Sequence, residues 1–239
     1  MSKENQIKIM EAISKRLTRI REKIADAALR SGRNPDEVEI VGVTKTVPAD
    51  RVAAAVAAGL RILGGNYIQE SLEKIDALSS LDVSWHFIGR LQSNKAKFAV
   101  NHFDLIHSVE TEKLAAEINR QAAKQNKVQT VLIQVNAGQE ATKAGVLPDD
   151  ALTLVKSISR LENIKIRGLM TMPPYFDDPE RARPFFRAVN DLKKRIEDEI
   201  IANVSMKTLS MGMTGDFEAA VEEGATLVRI GTAIFGERS

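Results

Sequence analysis

The sequence predicts an α/β fold, a single (β/α)8 barrel of the TIM type with an extra N-terminal helix, and three observations carry that expectation. Short apolar, β-branched runs recur along the chain. Stretches with helical spacing separate them in strict alternation, which indicates a parallel sheet covered by helices. Eight such units in a chain of 239 residues favour a closed barrel over an open doubly wound sheet.

The first segment, 4–32, places Ile7, Met10, Ile13, Leu17, Ile20, Ile24 and Ala28 three or four residues apart, one apolar stripe on a long helix that Ser31-Gly32 ends. The run VEIVGV (38–43) is short and β-branched, as suits a strand buried in a parallel sheet. Further strands are expected at 61–64, 84–88, 104–108, 130–135, 165–170, 207–211 and 226–230. Helices are expected at 49–59, 67–78, 93–100, 111–125, 149–160, 179–200 and 216–223, several opening on Asp, Ser or Thr in a capping position. The most loop-like stretch, MPPYFDDP (172–179), reads as a proline-stiffened turn or a mobile lid. Neither a linker nor a sequence repeat divides the chain, so one domain is expected over 1–239.

Composition narrows the function classes. Basic residues exceed acidic ones by 34 − 32 = 2, so no one-signed field favours nucleic acid or an anionic membrane. The absence of cysteine removes disulfides, thiolate metal sites and a cysteine nucleophile, and fits a reducing cytoplasm. The first thirty residues carry charges throughout and contain neither a signal-peptide core nor a membrane span.

A barrel gathers its reactive groups at the carboxyl ends of its strands. Lys45 stands just past the first strand, where a lysine in a dry setting can lose its proton and attack an aldehyde; the plainer alternative is a charge emerging at a strand end. Ser210, Gly231 and Thr232 follow strands seven and eight, where barrels commonly hold phosphate, although Gly212, Gly231 and Gly236 also suit tight turns. Arg229, flanked by Val228 and Ile230, is buried by context and needs a partner: an unprotonated pyridine nitrogen, or a salt bridge to Asp216 or Glu237. His86, His102 and His107 lack metal-ligand spacing, and His86 and His107 are expected to pack, each with a satisfied nitrogen.

Seven segments together resemble the pyridoxal-phosphate homeostasis proteins, whose barrel is like the N-terminal domain of bacterial alanine racemase. They are VGVTKTVP (41–48), GGNYIQE (64–70), WHFIGRLQSNKAK (85–97), HSVET (107–111), QVNAGQEATKAGV (134–146), GLMTM (168–172) and LSMGMTGDFEAAVEEGATLVRIGTAIFG (209–236), and the match runs from about residue 10 to 238. The resemblance implies a fold type III barrel for pyridoxal 5′-phosphate (PLP) without the racemases' C-terminal β-domain. It implies that Lys45 carries PLP as a Schiff base, that Ser210, Gly231 and Thr232 hold the phosphate, that Arg229 faces the pyridine nitrogen, and that Asn66 and Met211 line the ring. Lys143 belongs to a segment the family shares and is a candidate secondary PLP contact, or else a solvated loop lysine. Two departures stand out: the family usually has Gly-Glu-Asn-Tyr where this chain has Gly64-Gly65-Asn66-Tyr67, and serine where Thr44 and Thr214 stand.

The function expected from the resemblance is a cytoplasmic, monomeric PLP carrier that affects vitamin B6 and amino-acid pools, with apo PLP-dependent enzymes as recipients and with little or no catalysis. The alternatives are a PLP-dependent amino-acid racemase, which needs a second acid/base group across the cofactor, and a barrel with a vestigial site that serves protein interaction.

Overall fold

Eight strands form one sheet: β1 (Glu39–Val43), β2 (Ile62–Gly65), β3 (Ser84–Phe87), β4 (Leu105–Val109), β5 (Gln129–Val135), β6 (Ile164–Thr171), β7 (Val204–Met213) and β8 (Leu227–Ile230). Each pairs in parallel with the next, and β8 returns to β1 with Val41 opposite Arg229, so the sheet closes into a barrel. The computed structural model describes residues 3–140 and 142–237; Ala141 of the shared segment and the ends of the expected 1–239 domain lie outside them. The helices are α1 (Lys3–Arg30), α2 (Ala49–Ala57), α3 (Ile68–Ala77), α4 (Ala96–His102), α5 (Glu112–Ala123), α6 (Pro148–Ile158), α7 (Arg183–Asp198), α8 (Phe217–Glu222) and α9 (Thr232–Phe235).

The core has two shells. Val41, Ile62, Ile88, Leu105, Leu132, Met170 and Leu227 fill the barrel's interior, while a larger layer joins the outward strand faces to the helices. Strands buried on both sides explain why the apolar runs are nearly continuous instead of alternating. Gly168 lets β6 and β7 approach, since a Cβ there would stand 1.8 Å from the Thr208 carbonyl oxygen.

Most expected elements appear within a residue or two. Thr111 caps α5, its hydroxyl accepting the Leu114 N–H at 3.2 Å. Three details differ. The α1 stripe is buried from Ile13 to Ala28, where it lies on α2, α8 and α9, whereas Ile7 and Met10 are exposed. The expected helices 93–100 and 179–200 each open with a 3-10 turn, Ser93–Lys95 and Pro179–Ala182, before the α-helix begins. A short helix not foreseen, α9, starts directly at Gly231-Thr232.

Candidate functional site

The site is built at the carboxyl ends of the strands. Past β1, the Thr44 N–H and hydroxyl both donate to the Gly64 carbonyl oxygen, at 3.0 and 3.1 Å, which ties the strand's exit to β2. Lys45 follows, half-buried, with its Nζ 5.0 Å from the centre of the Tyr67 ring. Thr46 then takes a left-handed backbone, φ +62°, rare for a β-branched residue, and its N–H donates to Glu70 Oε1 at 2.6 Å.

Across the barrel, Arg229 is 4% exposed and donates through Nη1 to Ser210 Oγ at 2.7 Å and through Nη2 to the Thr171 carbonyl at 2.8 Å. A carbonyl and a hydroxyl are therefore its partners; Asp216 acts on it through space, without an ion-pair contact. Burial pulls the guanidinium pKa down to about 10, with Asp216 acting against it, so Arg229 stays charged at neutral pH. Burial likewise pushes the Asp216 carboxyl up, opposed by the Met213 N–H and by Arg229.

Behind Arg229 runs a buried polar column. Ser210 Oγ lies 2.9 Å from His107 Nδ1, and His107 Nε2 lies 3.1 Å from His86 Nδ1. Burial holds His86 at a pKa of about 4 and His107 well below the ordinary histidine value, so both rings are neutral. The expectation of packed histidines with satisfied nitrogens describes them well.

A cavity of about 550 Å³ opens at this mouth, bounded by Val43, Arg229, Gly231, Thr232 and Thr214 and by the 172–176 loop. Thr232 Oγ1 lies 3.3 Å from Thr214 Oγ1, so two hydroxyls share one rim. Lys143 also lines it, paired with Glu140 at 2.7 Å and directed at the Pro173 carbonyl at 3.4 Å. The 172–176 loop holds Tyr175 85% exposed, while Phe176 stacks on Phe185, with Arg181 4.8 Å from its ring centre.

The structure thus gathers Arg229, Gly231 and Thr232 around one cavity, with Lys45 two residues beyond its wall residue Val43. Asn66 follows the adjoining strand β2, and its Oδ1 is buried without a hydrogen-bond partner. Ser210 lies deeper, opposite Met170 and Leu227 of the barrel interior. The Met211 side chain does not join them: successive strand residues point to opposite faces, and it is fully buried in the outer layer. Sequence reasoning missed the Thr171 carbonyl and the contacts that join His86, His107 and Ser210; only the parity of β7 was available to separate Ser210 from Met211.

Residues 16–239 match the family described as alanine racemase, N-terminal domain. A pyridoxal phosphate homeostasis protein of Aquifex aeolicus is 48% identical over 223 residues, covering 93% of this chain and 97% of that one. One of Vibrio cholerae is 40% identical over 233 residues, covering 96% and 98%. Among solved structures, PipY of Synechococcus elongatus, determined with PLP bound, superposes with a TM-score of 0.80 at 35% identity, covering 94% of this chain and all of that one.

Proposed function

The chain belongs to the alanine racemase N-terminal domain family, and on that premise we propose that it is a cytoplasmic PLP-binding protein of vitamin B6 homeostasis and amino-acid balance, holding PLP as a Schiff base on Lys45. The observation that carries this is the gathering of Arg229, Gly231 and Thr232 around one cavity at the carboxyl ends of the strands, with Lys45 just past the end of β1.

The residues present suit such a group. The cavity, about 550 Å³, is of the size that takes small cofactors. Its donors are the cationic Arg229 and the hydroxyls of Thr214 and Thr232, chemistry that receives an anion and a ring nitrogen; Asn66, whose buried amide oxygen has no partner, lines a separate cavity with Tyr67 and Arg90. Ser210, Gly231 and Thr232 are assigned the phosphate, with the Ser210 hydroxyl also holding Arg229. Asn66 is assigned the ring edge and Met211 a main-chain border. Lys143 is assigned an access contact at the rim.

Bound there, PLP supplies an aldehyde and an electron-accepting ring. Arg229, which keeps its proton, donates to the ring nitrogen and so leaves the ring a weak electron sink. The chain's two tyrosines do not offer a second acid/base group: Tyr67 lies against Lys45 itself, and Tyr175 is 85% exposed. A carrier that delivers PLP to apo-enzymes therefore suits the site better than a racemase.

The test is an absorbance spectrum with PLP, before and after borohydride, on the wild type and Lys45→Ala. A band near ~420 nm that requires Lys45, with the cofactor fixed to Lys45 by reduction, supports the proposal. Identical behaviour of the two proteins refutes it.

A further inference from the structure

On α3, Glu70 and Lys74 stand one helical turn apart, and both reach back to the loop that carries Lys45. Lys74 Nζ is 2.5 Å from Glu70 Oε1 and donates to the Thr44 carbonyl oxygen at 2.6 Å, while the same carboxylate oxygen accepts the Thr46 N–H at 2.6 Å. Those two backbone groups belong to the peptide units immediately before and after Lys45. Lys74 is 8% exposed, an uncommon burial for a lysine, and buried ion pairs seldom add net stability. The strained left-handed Thr46 persists because the surroundings hold it, and Glu70 supplies the side-chain acceptor for its N–H.

We propose that Glu70 and Lys74 are positioning residues for Lys45: the pair pins both flanking peptide units, and Lys74 occupies the carboxylate that would otherwise pair with the Lys45 ammonium. This rests on Lys45 being the residue that attaches PLP. Attachment requires the Lys45 ammonium to release its proton to water; its nitrogen then bonds to the aldehyde carbon, and the aldehyde oxygen leaves as water. A carboxylate free to pair with the ammonium would oppose the first step. Lys74 prevents that pairing.

The electrostatics agree. Burial raises the Glu70 carboxyl, but the Lys74 ammonium and the Thr46 N–H outweigh it and leave the group below its ordinary value, with Lys45 adding a smaller pull in the same direction. Glu70 is thus within electrostatic reach of Lys45 but engaged by Lys74. The other charged or titratable groups on the elements around Lys45 are Glu39 on β1, Tyr67 at the N-cap of α3, Glu73 and Asp76 on α3, Asp50 and Arg51 in the first turn of α2, and Arg229 on β8 with Asp216 beyond it. The bonds of Glu70 and Lys74 run to Thr46, to Thr44 and to each other, and to none of these groups.

The experiment measures PLP attachment against pH, by absorbance and by the mass of borohydride-fixed Lys45, for wild type, Glu70→Gln, Lys74→Met and the double variant, with thermal unfolding of each. Lys74→Met frees the carboxylate for Lys45, and its half-attachment pH is expected to rise by roughly half a unit to one unit. Glu70→Gln keeps an acceptor for the Thr46 N–H but removes the negative charge, so its half-attachment pH falls; the double variant returns towards wild type. Shifts in a common direction, or no shift, overturn the proposal, because a purely structural pair would weaken binding without opposite displacements. If Lys74→Met does not fold, Glu70→Gln decides alone, and an unchanged or raised midpoint is the refuting result. A wild type that fixes no PLP on Lys45 would instead overturn the function proposed above.

Discussion

Gly65 and Ser71 face each other where β2 gives way to α3. A Cβ at 65 would stand 2.1 Å from Ser71 Oγ, which is itself bonded to the Tyr67 carbonyl at 2.7 Å. The family's usual glutamate would require Ser71 to move, so the departure at 65 is local and packed, and Glu70 is a carboxylate within electrostatic reach of Lys45. Gly65→Glu is expected to destabilise by about 1–3 kcal/mol through overpacking, and Ser71→Gly in the same chain to recover most of it. Urea unfolding of the single and double variants checks this; equal stabilities would show that the site relaxes freely. Arg229 is the other decisive residue. Arg229→Met strips two bonds from Ser210 Oγ and the Thr171 carbonyl, and should lower stability by about 2–4 kcal/mol and weaken PLP retention at least about tenfold. Equilibrium unfolding and dialysis of the loaded protein measure the two effects separately.

The long first helix shows how an element is secured by only part of its stripe. Ile13, Leu17, Ile20, Ile24, Ala27 and Ala28 are buried, and Arg16, Arg21 and Arg33 add bonds to carbonyls of α9, of the α2 terminus and of the α8 region. Leu17→Ala, at a fully buried position, is expected to cost about 2–5 kcal/mol, whereas Ile7→Ala, on an exposed turn, should lie within about 0.5 kcal/mol of wild type. Thermal unfolding of both variants distinguishes a stripe docked along its whole length from one docked from Ile13 onwards. In β7, alternation of faces separates Ser210 from Met211, a distinction the shared motif around them does not make. The four-residue α9 was not legible in the sequence because so short a segment carries no periodicity.

At the scale of the molecule, the buried histidine column couples stability to pH. An unfolded His86 takes up a proton below its ordinary value of 6.5, whereas the folded one resists until about 4 because it is buried. Stability is therefore lost as pH falls from 6.5 towards 4, by on the order of 3 kcal/mol from this group, with His107 acting in the same direction. Glu70, Glu222 and Glu223 have folded values below 4.5, so what they contribute is present above 4.5 and declines as pH drops further; Asp216, raised by burial, acts oppositely. Urea midpoints measured between pH 7.5 and 4 should fall for wild type and flatten for His86→Gln. Parallel curves would mean that the column takes up protons without unfolding.

What was legible beforehand depended on local order. Apolar runs, helical stripes and their alternation determine eight βα units, and a barrel made of such units necessarily collects its strand ends, so Lys45, Arg229, Gly231 and Thr232 could be placed at one mouth from the sequence. Motif resemblance supplied the family and the cofactor class. The tertiary structure alone decided which side chains touch: His107 meets Ser210 across 103 residues of chain, and Arg229 reaches the Thr171 carbonyl across 58. It also decided that Lys74 and Glu70 clasp the backbone around Lys45 and that Met211 turns away. Hydrogen bonds between distant residues are set by strand register and side-chain rotamers, and neither leaves a periodic mark in the order of the amino acids.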